Sequence, residues 1–297
     1  MEDVLIIDDK HIKISNPKKY LWCNSNYQVD KVTYITYIHN AAEYILKYSK
    51  DRLLTTIRYP NGVTGKHFYQ KNAPSFAPEW IQTIVWNDTN YILANDTATL
   101  VWLANLACLE LHVSFNYWQH EDYPTELVFD LDPTDTSNFM HVLQMASYMK
   151  EVLLEVGLIA YPKTSGATGL QLYIPILQKY TYDDTRKVAK FIAEYIQQKY
   201  PKDITLERLV KNRGNKLYVD YLQHWRGKTL PAPYSVRARE KPSVSTPVSW
   251  NEIEKNSFKP DDFTIFNILD RINKVGDLFD LTSKQSLDHI LEIITDI

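Results

Sequence analysis

The seven residues Leu127-Val128-Phe129-Asp130-Leu131-Asp132-Pro133 constrain this chain more than any other stretch. Leu127, Val128 and Phe129 favour an extended backbone, and Pro133 ends the run because it has no amide N–H to give a neighbouring strand. Side chains alternate along a strand, so Asp130 and Asp132 share one face while Phe129 and Leu131 share the other. Two carboxylates one strand repeat apart repel each other, and in an apolar setting the pair is costly unless a cation lies between them. Hard oxygen donors suit Mg²⁺ or Mn²⁺, and a paired-metal centre of that kind fits phosphoryl transfer. Taken alone, the segment is more simply a strand that ends in a solvated Asp-x-Asp-Pro turn.

A chain of 297 residues has room for one large domain or two intimate lobes. Its hydrophobic fraction of 44% and aromatic fraction of 13% describe a globular protein with a sizeable core. The net charge of −3 argues mildly against nucleic-acid binding, although a local basic groove can sit on an acidic protein. Cys23 and Cys108 make neither a disulfide framework nor a zinc pattern, which fits a reducing interior. No apolar run is long enough to cross a membrane and the N-terminus does not read as a signal peptide, so a soluble cytoplasmic protein is expected.

Periodicity sets out the elements. Residues 1–16 alternate as short strands, and residues 32–48 carry apolar positions at helical spacing. Residues 50–58 and paired segments within 81–93 read as strands. Residues 97–112 are apolar nearly all round and predict a buried helix, with Glu110 and His112 as polar groups near its end. Further helices are expected over 137–156, 181–200, 263–275 and 287–297, and a strand over 216–220. Residues 231–239 read as an extended loop.

Two segments could hold phosphate or nucleic acid. Residues 65–72 place Phe68 and Tyr69 beside Lys66, His67 and Lys71, a mixture suited to stacked bases and phosphates, although a lone aromatic pair is more often core. Residues 161–175 are a Gly/Ser/Thr turn feeding a strand. Hydroxyls and free amides there could hold phosphate oxygens, or the turn could simply close a hairpin. It lacks the Gly-Lys-Ser/Thr ending of a Walker loop.

The motifs Lys13-Ile-Ser-Asn-Pro-Lys-Lys19, Arg58-Tyr-Pro-Asn-Gly62, Phe68-Tyr-Gln-Lys-Asn72, Leu127 to Pro133, Thr164-Ser-Gly-Ala-Thr-Gly169 and Asp220 to Arg237 stand in this order along nearly the whole chain. Together they resemble the polymerase domain of bacterial DNA ligase D, in the archaeo-eukaryotic primase superfamily. The resemblance implies an α+β fold: an antiparallel sheet of the RNA-recognition-motif type with helices, plus an N-terminal α/β lobe. It implies a lobe over 1–125 that binds DNA ends, a catalytic core over 126–240 and an extension over 241–297. No ligase nucleotidyl-lysine motif or nuclease module accompanies it.

The resemblance also implies roles. Asp130, Asp132 and Asp220 would hold two divalent metals, Mn²⁺ or Mg²⁺. His112, Ser165, Thr168, Gln171, Arg213, Gln223 and Arg237 would hold the incoming NTP or dNTP. Phe68 and Tyr69 would stack on the template, with Lys71 beside them on DNA. Lys19 and Lys31 would hold the 5′-phosphate of a gapped or overhanging DNA end. The implied activity is template-directed extension of broken ends in non-homologous end joining, with a ribonucleotide preference, in the bacterial cytoplasm and nucleoid. The implied partners are Ku and an ATP-dependent DNA ligase. A primase that starts chains de novo, and a non-catalytic module that bridges ends, are the alternatives.

Two positions depart from the family pattern Ser-Gly-x-Lys-Gly-Leu-His. Thr168 stands at the lysine and Gln171 at the histidine. Thr168 brings no cation to a triphosphate, and Lys163 is the neighbouring residue that could replace it.

Overall fold

The computed structural model describes residues 4–136 and 138–296. Residues 1–3, Ser137 (expected to open a helix) and Ile297 (expected to close one) lie outside the described residues. The chain divides into two compact units. One comprises Met1–Ser114, Thr229–Ser245 and Phe263–Gly276; the other comprises Phe115–Lys228, Thr246–Asp262 and Asp277–Ile297. Both are discontinuous, so the three consecutive segments of the sequence reading do not coincide with the packed units.

The second unit is built on a five-stranded sheet. Its order is Tyr161–Thr164, Leu170–Pro175, Glu126–Asp132, Leu217–Asp220, Ile204–Thr205. The first four strands are antiparallel to their neighbours, and the short Ile204–Thr205 strand joins in parallel. The strand predicted around Phe129 is therefore central, with partners on both sides. Its odd positions, Leu127, Phe129 and Leu131, pair with Ile174, Leu172, Leu170 and Val219, and all of these are wholly buried. Helices Phe139–Glu155 and Tyr182–Lys199 cover this back face. Their buried stripes, Val142, Leu143, Ala146 and Met149 on one and Val188, Ala189, Ile192 and Ile196 on the other, follow the helical repeat read in the sequence. Burying each such side chain stabilises by about 1.5–3 kcal/mol, which is why a period-2 strand and two period-3.6 helices fold on one another.

The first unit holds a four-stranded antiparallel sheet ordered Thr229–Pro231, Cys108–Ser114, Leu54–Arg58, Phe68–Gln70. Helices Lys31–Asn40, Ala42–Ser49 and Thr97–Asn105 pack with it. Hairpins Val4–Ile7/Lys10–Lys13, Tyr20–Cys23/Gln28–Asp30 and Thr83–Trp86/Thr89–Ile92 complete it, together with the small Val236–Ala238/Pro242–Val244 pair.

The main departure from the sequence reading lies at residues 97–112. The helix stops at Asn105, Ala107 takes φ +57°, and Cys108–Ser114 is a strand. An unbroken apolar run does not distinguish a buried helix from a buried strand. Cys-Leu-Glu-Leu-His-Val-Ser has a period of two, with Glu110 and His112 on one face, and that alternation was the available signal. The helix expected over 32–48 is likewise two, joined at Ala41. The expected loop over 231–239 contains the end of one strand and the whole of Val236–Ala238.

A candidate active centre on the front of the central sheet

The front face of the five-stranded sheet carries polar residues in register. Lys163 lies opposite Gln171, Gln171 opposite Asp130, and Asp130 opposite Asp220, a row across four strands. Asp132, one repeat along, lies opposite Tyr218. Directly opposed residues in an antiparallel pair project to the same side, so register alone brings the three sequence-predicted carboxylates onto one face.

The row is electrostatically strained. Burial, and the charges of Asp132 and Asp220, push the Asp130 carboxyl up to about 8, while the Gln171 hydrogen bond and the Lys163 charge pull against them. Lys163 is fully buried; its ammonium donates to Gln171 Oε1 and lies 5.5 Å from the centre of the Tyr173 ring. Its cation is thus turned inward along the sheet, towards the carboxylates. This corrects the expectation that Lys163 replaces the cation missing at Thr168: a fully buried ammonium held by an amide oxygen is not a surface donor.

The other expected residues of this unit surround the row. Ser165 Oγ accepts the backbone N–H of Ala167 at 3.2 Å and of Gly169 at 3.1 Å, closing the turn with its own hydroxyl. Thr168 is half-buried on that turn. Gly169, quoted in the motif but given no role of its own, has one here: a Cβ there would lie 2.2 Å from the Leu131 carbonyl oxygen, so the turn hugs the central strand only without a side chain. Arg213 donates to the carbonyls of Glu207 and Arg208 and stacks 4.0 Å over the Tyr218 ring, which fixes it beside the Asp132 position. Asp220 Oδ1 accepts the Gln223 backbone N–H at 2.9 Å, which pins the following segment to the carboxylate.

In the first unit, His112 and Arg237 meet at one buried carboxylate. His112 Nε2 is 2.9 Å and Arg237 Nε 2.8 Å from Glu110 Oε2. Glu110 Oε1 accepts from Ala238 N at 3.1 Å and Tyr59 hydroxyl at 3.3 Å. Burial alone would raise the Glu110 carboxyl, but the His112 hydrogen bond and the Arg237 charge outweigh it and hold it at about 2. Glu110 is the hub that the sequence reading passed over.

The expected DNA contacts also lie in this unit. Phe68 and Tyr69 are 45% and 69% exposed on the edge strand, with Arg58 5.3 Å over the Phe68 ring, so the core reading of this pair does not hold. Lys71 is exposed beside them. Lys19 donates to Asn61 Oδ1 at 3.2 Å and is half-buried. Lys31 is buried and donates to the Ser15 carbonyl and hydroxyl, and burial and the charges of Lys19 and Arg58 lower its pKa.

The carboxylates are hard donors suited to a divalent cation, and their mutual repulsion is what such a cation would relieve. Among the described residues, no three His, Cys, Asp or Glu side chains already close into a metal-holding group.

A helix-backed, mostly antiparallel sheet with an acidic row at its centre defines an α+β protein of the primase-polymerase class. The family described as "LigD, primase-polymerase domain" matches residues 30–279. The bifunctional non-homologous end joining protein LigD of Bacillus subtilis is 42% identical over 247 residues, covering 83% of this chain and 40% of that protein. The multifunctional LigD of Mycolicibacterium smegmatis is 31% identical, covering 91% of this chain and 36% of that one. The solved polymerase domain of Mycobacterium tuberculosis ligase D, in complex with DNA, superposes with a TM-score of 0.82 at 28% identity, over 95% of this chain and 98% of that one. The chain belongs to the LigD primase-polymerase domain family. It spans about two fifths of the length of the curated relatives it matches.

Proposed function

We propose that this chain is a template-directed nucleotidyltransferase that extends or fills broken DNA ends for non-homologous end joining. The observation that carries this reading is the register Gln171–Asp130–Asp220 with Asp132 one repeat away. Clustered carboxylates gain a DNA-bridging module nothing, whereas phosphoryl transfer uses them to hold metal.

Asp130, Asp132 and Asp220 would hold Mn²⁺ or Mg²⁺, which supplies Lewis-acid charge for the attacking hydroxyl and the leaving pyrophosphate. In the reaction, the 3′-hydroxyl oxygen of the growing strand bonds to the α-phosphorus of an NTP or dNTP. The bond from that phosphorus to pyrophosphate breaks, and the hydroxyl proton is lost. Gln171, held by Lys163, orients Asp130; Gly169 keeps the 164–169 turn against the central strand; Arg213 adds positive charge beside Tyr218. Ser165, Thr168 and Gln223 flank the nucleotide, and His112 and Arg237, joined at Glu110, are given a nucleotide-binding role by the same reading. Phe68, Tyr69 and Lys71 take the template and Lys19 the 5′-phosphate. Ribonucleotide preference, and action beside Ku and an ATP-dependent ligase, follow from the same reading. Work on DNA in the cytoplasm belongs to the same reading; among the described residues no helix is long and apolar enough to cross a membrane.

The test is primer extension on a gapped, 5′-phosphorylated duplex, with Mn²⁺, with Mg²⁺ and with chelator. Extension should require metal. Asp130→Ala or Asp220→Ala should lower it on the order of a thousandfold while DNA binding stays equal or tightens. Near-normal extension by either variant refutes the assignment.

A further inference from the structure

A cleft of about 290 Å³ in the second unit is lined by Arg186, Arg208, Leu222, Trp225 and Lys228. Neither the family resemblance nor the row of carboxylates accounts for it. Its three cations come from three places: Arg186 from the Tyr182–Lys199 helix, Arg208 from the segment after the Ile204–Thr205 strand, and Lys228 from the segment after Asp220.

The cations are built in. The Arg186 guanidinium lies 4.5 Å over the Trp225 ring and 5.8 Å from the Tyr221 ring. It donates to the Leu222 and His224 carbonyls at 3.3 and 2.9 Å. Lys228 donates to the same Leu222 carbonyl at 2.8 Å. These bonds use two of the five guanidinium donors and one of the three ammonium donors. The Arg186 Nε–H is buried without an acceptor. Burial lowers the pKa of Arg186 and of Lys228; the Asp220 charge opposes this at both, while the charges of Arg186 and Arg208 lower Lys228 further. Asp220 offsets part of the repulsion among these cations, and an anion bound in the cleft would offset more of it.

Placement selects the anion. On one side of the central Glu126–Asp132 strand is the 164–169 turn; on the other is the Asp220 strand, whose onward segment forms this cleft. The segment is pinned to Asp220 through Gln223. Nucleotidyl transfer brings two phosphate-bearing reactants to one centre, a triphosphate and the strand that attacks it. The residues read to hold the nucleotide, Ser165, Thr168, Arg213 and Gln223, do not line this cleft, which leaves its three cations for the strand.

We infer that the Arg186–Arg208–Lys228 cleft binds backbone phosphates of the nucleic-acid strand being extended and so sets the approach of its 3′ end. This rests on the polymerase reading for the strand's role, though not for its binding.

The experiment measures equilibrium binding of a labelled duplex with a 3′ overhang, without nucleotide, across a salt series, together with nucleotide KM at saturating DNA. Arg208 is exposed, so Arg208→Gln leaves the fold intact, which thermal unfolding verifies. Lys228→Gln and Arg186→Gln probe the half-buried pair. Each variant should bind DNA roughly tenfold more weakly and lower the slope of log Kd against log salt by about one, with nucleotide KM unchanged. A raised KM with unchanged DNA affinity gives the cleft to the triphosphate and overturns the inference. Unchanged values of both, with the fold intact, overturn it as well. If the wild-type protein binds DNA through the cleft but extends no primer, the polymerase reading falls and the phosphate cleft stands.

Discussion

At position 168 the chain carries a hydroxyl where the pattern it resembles has a lysine, and the structure closes the nearest route to compensation. Lys163 is buried and committed to Gln171. Thr168, by contrast, is half-exposed on the turn, so Thr168→Lys should place an ammonium where the proposed function puts the triphosphate. It should lower nucleotide KM severalfold, equally for purine and pyrimidine nucleotides, because a phosphate contact carries no base information. Steady-state kinetics with all four nucleotides check this; an unchanged KM means another cation already fills the place. The inward lysine makes a second prediction. Lys163→Met strands the Gln171 carbonyl oxygen and should destabilise the protein by about 1–3 kcal/mol in urea unfolding. Single residues were the scale at which the sequence spoke unevenly. Asp130, Asp132 and Asp220 were readable because strand alternation and a motif fixed them. Glu110 and Gly169 were not: the importance of one depends on partners up to 128 positions away, and that of the other on the Leu131 carbonyl.

Elements were readable wherever one face was apolar. The two helices behind the five-stranded sheet, and the central strand itself, appeared with nearly their observed bounds. The 108–114 strand was lost because its neighbours on both sides in sequence are buried whatever they fold into. Two predictions belong to elements. Gly169→Ala places a carbon 2.2 Å from the Leu131 oxygen, so the turn or the central strand must shift. The expected loss is about 1–3 kcal/mol of stability, together with reduced extension, read by denaturant unfolding and primer assay. The second concerns Glu110 on its strand. Its folded pKa of about 2 lies below its ordinary 4.5, so its contribution is fully present above about pH 4.5 and is lost as pH falls towards 2. That contribution is at most about 3 kcal/mol. Wild type should therefore exceed Glu110→Gln in stability at pH 7, and the gap should narrow between pH 4.5 and 2. A gap independent of pH would contradict the assignment.

For the whole molecule, an acidic chain must concentrate its cations to hold DNA. Lys19 is the more accessible of the two lysines expected at the 5′-phosphate, while Lys31 is buried and braces Ser15. Removing the 5′-phosphate from a gapped duplex should weaken wild-type binding and add little to the defect of Lys19→Ala, as anisotropy titration would show. Full discrimination by that variant would place the phosphate elsewhere. The interleaved course of the chain bears on something different, the order of events during synthesis. The first unit takes in residues as late as Gly276, yet its opening segment ends at Ser114. Those first residues emerge from the ribosome well before the strands and helix that complete their core. At 5–20 residues per second the wait is roughly ten to thirty seconds. Throughout it, sheet edges and apolar helix faces that belong inside the first unit lack their later neighbours. The nascent protein thus has a built-in interval of vulnerability to aggregation, in which chaperones gain access, and a truncation before Gly276 would make that interval permanent.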